Sequence, residues 1–176
     1  MGTFPLIPHP DTPPKAIDAV DVRWFEPGNG TLILRYQVKG SAALSVPAFA
    51  GKGRGSELWQ TTCGELFLKD AAGEGYTEFN FSPSERWAAY RFGGYRAGMA
   101  DAEIAAPEIG ASAGEYIFVL TAVIDAALLT GAALAGLSMV IEEKDGTKSY
   151  WALAHSSGQP DFHDPACFAL PLPAAG

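Results

Sequence analysis

The sequence predicts an all-β fold, an antiparallel β-sandwich of jelly-roll type in a single domain. Apolar and polar residues alternate with a period of two in several short segments, as on strands with one buried and one solvated face. The 20 glycines and 13 prolines are spread along the chain and place turn signals between these segments. Helical periodicity is almost absent, and about ten strand segments without helices are typical of a sandwich.

The N-terminal part is predicted to be an extended arm over residues 1–17, because the run PHPDTPP at 8–14 is rich in proline. The β-domain is predicted to follow over residues 18–172. Its clearest strand is 31–38, where Leu32, Leu34, Tyr36 and Val38 alternate with more polar residues. The other predicted strands before residue 100 are 18–25, 42–47, 57–69, 75–82 and 86–92.

The C-terminal part is predicted to contain a central strand at 116–124, since YIFVLTAVI is apolar on both faces. The segment 125–134 gives the one helical signal, with Asp125 as a candidate N-cap. Lys-Asp-Gly at 144–146 predicts a hairpin between strands 137–143 and 147–155. A last strand is predicted at 167–172.

Composition limits the classes of function. A chain of 176 residues can bury one core, and a content of 48% hydrophobic residues indicates a globular protein. The net charge of −8 argues against a nucleic-acid ligand, which requires basic patches, and against an anionic membrane surface. We therefore expect neither nucleic acid nor membrane as a partner.

Residues 57–96 contain nine of the 20 aromatic residues, interleaved with hydrogen-bonding side chains. Flat rings beside donors and acceptors are typical of a site for a sugar or another small polar molecule, whereas core packing explains the rings alone. Strand alternation places Glu78 and Asn80 on one face. A solvated face would be the simpler explanation for these two residues.

Glu65 favours the binding interpretation, because a carboxylate between Cys63 and Phe67 on one strand face is not a solvated pattern. Such a carboxylate needs a partner, and Arg91 or Arg96 is expected to supply it. Replacement of Glu65 by glutamine is then expected to cost stability, binding or both. The proposed ligand-binding residues are Trp59, Glu65, Glu78, Asn80, Trp87, Arg91 and Trp151.

Two other classes of function compete with a non-catalytic binding domain. A haem or redox domain would need axial ligands, for which the candidates are His155, His163, Met99 and Met139. A small glycoside hydrolase would use Glu65 and Glu78 as its carboxyl pair. No standard hydrolase or metalloprotease motif is present, and we expect neither catalysis nor a cofactor.

A metal site is not expected. Asp161, His163 and Asp164 lie in a turn bounded by prolines, and their spacing to His155 matches no standard metal motif. Cys63 and Cys167 are far apart in apolar segments and are expected to be reduced and buried, as in a cytoplasmic protein. The N-terminus has neither the basic nor the apolar region of an export signal.

Two central strings carry a family resemblance, LWQTTC-x-ELFL at 58–68 and EFNFSPS-x-x-WAAYRF at 78–92. Together with WALAH at 151–155 and PDFH-x-P-x-CFAL at 160–170, they resemble bacterial DOMON-like domains related to carbohydrate-binding module family 9. The resemblance covers residues 18–172 and implies a sandwich of two antiparallel sheets that binds sugar or haem. Gly64 departs from it where related strings carry a bulky aromatic residue, and Cys63 departs where an acidic residue is usual.

Overall fold

The computed structural model describes residues 2–173 and contains strands and four short 3-10 helices. The 3-10 helices are Ser41–Ala43, Leu58–Gln60, Ala126–Leu129 and Pro165–Cys167. The strands are β1 (Gly2–Pro8), β2 (Ala19–Phe25), β3 (Thr31–Lys39), β4 (Gly53–Arg54), β5 (Cys63–Asp70), β6 (Tyr76–Phe81), β7 (Arg86–Phe92), β8 (Ala100–Asp101), β9 (Glu108–Ala113), β10 (Ile117–Asp125), β11 (Ala132–Glu142), β12 (Lys148–Ala152) and β13 (Leu170–Pro171).

Eleven strands form one curled, open sheet in the order β4-β7-β6-β5-β11-β12-β1-β2-β3-β10-β9, and the short β8 and β13 pair beside it with β7 and β11. Every pair is antiparallel except the two-residue pair of β4 with β7. The predicted all-β fold is confirmed. The two separate sheets of a jelly-roll sandwich are not confirmed, because β1 pairs with β2 on one side and with β12 on the other. No helix among residues 2–173 has the length and hydrophobicity needed to cross a bilayer.

The core lies between the two halves of the curled sheet. Tyr36 on β3 is fully buried, and its hydroxyl donates a hydrogen bond of 2.8 Å to the carbonyl of Glu65 on β5. Gly64 lies beneath the Tyr36 ring, and a Cβ at this position would be 3.0 Å from the ring and 3.1 Å from Leu120. The tyrosine therefore fills the space that an aromatic side chain at residue 64 would need.

Three predicted strands differ from the structure. The predicted strand 167–172 is reduced to Leu170–Pro171, because the 3-10 helix Pro165–Cys167 ends at its first residue. Residues 42–47 form a 3-10 turn and irregular chain with a single bridge from Leu44 to Glu143. The predicted strand 57–69 begins only at Cys63, because Glu57 adopts a left-handed conformation (φ 54°) and the Leu58–Gln60 turn follows it. Alternating polarity cannot distinguish such a turn from a strand when both contain apolar residues.

The helical signal at 125–134 corresponds to the 3-10 helix Ala126–Leu129. Asp125 caps it as predicted, accepting a hydrogen bond of 2.8 Å from the amide of Ala127. The hairpin of β11 and β12 has the predicted turn at 144–146. Besides the two-residue strands β4 and β8, two longer strands were not predicted. Strand β1 lies inside the segment expected to be an arm, and β9 is built from small residues that show no alternation.

Candidate functional site

The candidate site lies on the face of β5, β6, β7, β11 and β12 that points away from the core. Because side chains alternate along a strand, β5 buries Leu66 in the core and turns Glu65 and Phe67 to this other face. Here a cavity of about 1040 Å³ opens to the surface. Its lining residues are Thr12, Ser56, Glu57, Trp59, Glu65, Glu78, Tyr90, Phe92, Arg96, Met99, Val140, Tyr150, Gln159, Pro160, Asp161, Phe162 and His163.

Two loops cover this face and are held together through Asp161. The carboxylate accepts a hydrogen bond of 2.7 Å from Arg96, a second from the Tyr95 hydroxyl and a third of 3.0 Å from the amide of His163. These bonds connect the turn after β7 to the segment that precedes the last 3-10 helix. Phe162 is buried under this segment and packs near Tyr150, so that the cavity has an apolar wall.

A pair of buried carboxyl groups forms the floor of the cavity. Glu65 is 3% exposed and Glu78 is 5% exposed. In the register of β5 with β6, Glu65 lies opposite Asn80 and Glu78 lies opposite Phe67, so the two glutamates are diagonal neighbours on one face. The amide of Asn80 donates a hydrogen bond of 2.7 Å to Glu78.

Burial raises the pKa of both carboxyl groups. The pKa of Glu65 is raised well above its ordinary value by desolvation and then by the negative charge of Glu78, while the Ser138 hydroxyl and the charge of Arg96 act in the opposite direction. The pKa of Glu78 is raised by desolvation and lowered in part by Asn80 and Arg96. Both glutamates therefore hold protons more tightly than exposed carboxylates do.

The arginine partner predicted for Glu65 is not in place. Arg91 forms an ion pair with Asp70, and Arg96 forms one with Asp161. Within residues 2–173, Glu65 has no ion pair of its own. Arg91 projects from the opposite face of β7 and therefore does not face Glu65.

His163 connects the carboxyl pair to the covering loop. Its Nδ1 lies 2.8 Å from the hydroxyl of Tyr76, and its Nε2 lies 3.7 Å from a carboxylate oxygen of Glu78. The Tyr76 oxygen accepts a hydrogen bond from the amide of Arg96. Desolvation, followed by the positive charge of Arg96, lowers the pKa of His163 to about 4, so the imidazole is neutral at physiological pH.

The neutral state of His163 predicts a loss of stability in acid. A histidine whose folded-state pKa is lowered contributes stability above its unfolded value of about 6.5, and this contribution is lost as the pH falls towards about 4. We expect wild type to lose up to about 3 kcal/mol more than His163→Asn between these pH values. Denaturant unfolding at several pH values measures this difference, and parallel curves for the two proteins would contradict the assignment.

The structure places four of the seven proposed binding residues together. Trp59, Glu65 and Glu78 line the cavity, and Asn80 joins them through its hydrogen bond to Glu78. The indole of Trp59 is 48% exposed, at the cavity mouth on the 3-10 helix Leu58–Gln60. These four positions agree with the faces expected from strand alternation.

The other three proposed residues lie on the opposite face of the sheet. Trp87 pairs in register with Phe81 and packs in the core, with the guanidinium of Arg54 at 4.4 Å from its ring centroid. Arg91 has the same parity as Trp87. Trp151 is buried in the core, and its indole donates a hydrogen bond of 2.9 Å to Ser149.

The candidate haem ligands are not collected at one place. Met99 and His163 line the cavity, whereas Met139 is fully buried on the core side of β11. The Nε2 atom of His155 lies 2.9 Å from the carbonyl of Ile7. Across residues 2–173, no three His, Cys, Asp or Glu side chains are grouped to hold a metal ion.

Tyr76, Asp161 and His163 belong to the site, although sequence reasoning did not place them there. Tyr76 carries a signal that could have been used, because it shares the parity of Glu78 on one strand. Asp161 and His163 come from a loop, where no periodicity indicates which way a side chain points. Their proximity to β6 depends on how the loop is placed in the tertiary structure.

The fold has a counterpart among solved structures. The crystal structure, at 2.70 Å resolution, of a protein from Bacteroides uniformis ATCC 8492 described as a proposed carbohydrate-binding protein superimposes on this chain with a TM-score of 0.70. The two proteins share a fold. The similarity covers 95% of this chain and 84% of the other at 20% sequence identity. No protein-family model matches the sequence, and no curated protein sequence matches it.

Proposed function

We propose that this chain is a non-catalytic binding domain for a sugar or sugar-like small polar molecule, held in the cavity above β5 and β6. One observation carries the proposal. The exposed ring of Trp59 stands at the mouth of a cavity whose floor carries the buried polar groups of Glu65, Glu78 and Asn80. A sugar presents an apolar face for stacking and hydroxyl groups for hydrogen bonding, and this cavity offers both kinds of contact.

The family resemblance supports the same function. The string at 58–68 supplies Trp59 and Glu65, and the string at 78–92 supplies Glu78 and Asn80. We therefore propose a DOMON-like relationship to carbohydrate-binding module family 9, in agreement with the description of the Bacteroides structure. We also propose a reducing, cytoplasmic setting, which the free and buried thiols of Cys63 and Cys167 support.

Trp59 provides the test of the stacking contact. We expect wild type to bind at least one member of a panel of mono- and disaccharides, measured by isothermal titration calorimetry. Replacement of Trp59 by alanine is expected to weaken that binding about tenfold, because loss of a stacking ring costs about 1 kcal/mol or more. The melting temperature should hardly change, since the indole is exposed.

Phe49 supplies a matched control, because it is another exposed aromatic residue (67%) and does not line the cavity. Phe49→Ala should bind as wild type does. Equal affinities for wild type and Trp59→Ala would argue against the proposed platform. Release of sugar from chromogenic glycosides, abolished by Glu78→Gln, would replace a binding function with hydrolysis by the carboxyl pair.

A further inference from the structure

The cavity has an excess of acidic groups. Four acidic side chains line it, Glu57, Glu65, Glu78 and Asp161, against the single permanently charged base Arg96. The guanidinium of Arg96 is already bonded to Asp161 at 2.7 Å. The remaining basic candidate, His163, is neutral because burial lowers its pKa to about 4. No basic side chain that lines the cavity is therefore free to balance the charge that ionisation of Glu65 and Glu78 would place on the floor.

Two buried polar side chains at or beneath the floor, Glu65 and Ser138, face each other without an ion pair or a hydrogen bond of normal geometry. Glu65 is only 3% exposed, and it forms no ion pair with any residue of 2–173. Ser138 lies directly opposite Glu65 in the register of β11 with β5 and is 2% exposed. Its hydroxyl makes no hydrogen bond of normal geometry, although it is close enough to Glu65 to lower the pKa of that carboxyl group. Buried polar groups are normally paired, so these two mark a place where a ligand supplies the missing contacts.

A ligand group that satisfies these side chains would be a hydrogen-bond donor with positive charge. An ammonium group carries three N–H donors and no acceptor, which suits two carboxylates and one hydroxyl. Diagonal positions on neighbouring strands are about 7–8 Å apart, with less between side chains, so two glutamates in this register can contact one common ligand group. A metal ion fits less well, since no third His, Cys, Asp or Glu ligand is grouped with the pair in the described part of the chain.

We propose that the ligand is an amino sugar whose ammonium group binds between Glu65 and Glu78 beside the Ser138 hydroxyl. This inference rests on the proposed function, and it adds the chemical class of the sugar. The positive charge of the amine offsets the desolvation and the mutual repulsion that raise the pKa of the two carboxyl groups. The other titratable groups around the pair are Cys63 from β5, Tyr76 from β6, Tyr90 from β7, and Glu57, Arg96, Asp161 and His163 from the segments that cover the cavity.

Matched pairs of sugars test the inference on the wild-type protein. The probes are D-glucose with D-glucosamine, D-galactose with D-galactosamine, and D-mannose with D-mannosamine, where each pair differs only in a hydroxyl or an amine at C2. Calorimetry at about pH 6.5 keeps the amines protonated. We expect the amine to bind at least about tenfold more tightly than its neutral partner in one pair, because charge-assisted hydrogen bonds are stronger than neutral ones.

Variants connect this preference to the carboxyl pair. Glu78→Gln is expected to bring the ratio of amine to neutral affinity in the preferred pair close to one. Glu108→Gln, which changes an exposed carboxylate on β9 away from the cavity, should keep the wild-type ratio. If Glu78→Gln fails to fold, the wild-type ratio still decides the question.

The outcomes separate the inference from the proposed function. Neutral sugars that bind as tightly as their amines would overturn the inference and leave sugar binding intact. If no sugar binds, the proposed function fails, and Tris with its neutral analogue pentaerythritol decides the inference. Tris binding that Glu78→Gln abolishes would support a cation site without a sugar ring. Absence of Tris binding as well would overturn the inference.

Discussion

Replacement of Glu65 by glutamine is expected to stabilise the protein at alkaline pH and to leave its stability unchanged in acid. Glutamine keeps the shape of the side chain but removes the charge that is costly at a buried position without an ion pair. The expected gain near pH 8 is about 1.4 kcal/mol for each unit by which the fold raises the pKa of Glu65. This direction is opposite to the loss of stability that an ion pair with Arg91 or Arg96 would give.

The direction of the expected change in stability follows from proton binding to Glu65. A carboxyl group whose folded-state pKa is raised contributes stability below its unfolded value, and the contribution is lost as the pH rises through the folded value. Wild type should therefore lose stability as the pH rises above about 4.5, and the Glu65→Gln variant should lose less. Glu78 lies beside Glu65 on the same face and still contributes to the variant's own pH dependence.

Chemical denaturation of both proteins at pH values from about 4.5 to about 8 measures the effect. Glu108→Gln, with an exposed carboxylate on β9, serves as the control and should follow wild type at every pH. A Glu65→Gln variant that is less stable than wild type at alkaline pH would show that a partner stabilises the ionised carboxylate.

Introduction of phenylalanine at residue 64 is expected to destabilise the fold by about 3 kcal/mol or more, since overpacking of a tight core forces neighbouring groups to move. Even a Cβ would lie 3.0 Å from the Tyr36 ring and 3.1 Å from Leu120. Displacement of Tyr36 would also break its hydrogen bond to the carbonyl of Glu65. Denaturant midpoints for wild type and Gly64→Phe measure the loss.

Gly110 on β9 is the matched control, because a Cβ there meets nothing within 4 Å and the residue is exposed. Gly110→Phe should unfold close to the wild-type midpoint. Addition of Tyr36→Ala to Gly64→Phe should recover part of the lost stability, because it vacates the space above residue 64. A Gly64→Phe protein with wild-type stability would show that the halves of the sheet are not packed as described.

Strand alternation was sufficient to predict the polar floor of the cavity. Glu65, Glu78 and Asn80 share one face because β5 and β6 are regular and neighbouring in sequence. The same rule gave no information about Trp87 and Trp151. Their faces depend on the register of β7 and β12 with their neighbours, which is set by the turn at 82–85 for Trp87 and by pairing through β11 with the distant β5 for Trp151.

In the overall architecture too, some features follow from local sequence signals and others depend on long-range pairing. Local signals predicted the hairpin of β11 and β12 and the cap at Asp125. They could not predict that β1 joins both halves of the sheet, because pairing between residue 7 and residue 152 has no local signature. The contacts of Asp161 and His163 depend in the same way on loop placement.

The double pairing of β1 makes the N-terminal strand a seam between the floor of the cavity and the opposite wall of the core. Ile7 and Pro8 pair with Ala152 and Trp151, while Gly2 through Leu6 pair with β2. The amide of His9 extends the seam by one hydrogen bond of 2.8 Å to the carbonyl of Tyr150, a residue that lines the cavity. The two halves of the sheet are therefore hydrogen-bonded to the same strand. Neither half can slide past the other along the strand direction unless the pairing of this strand is broken.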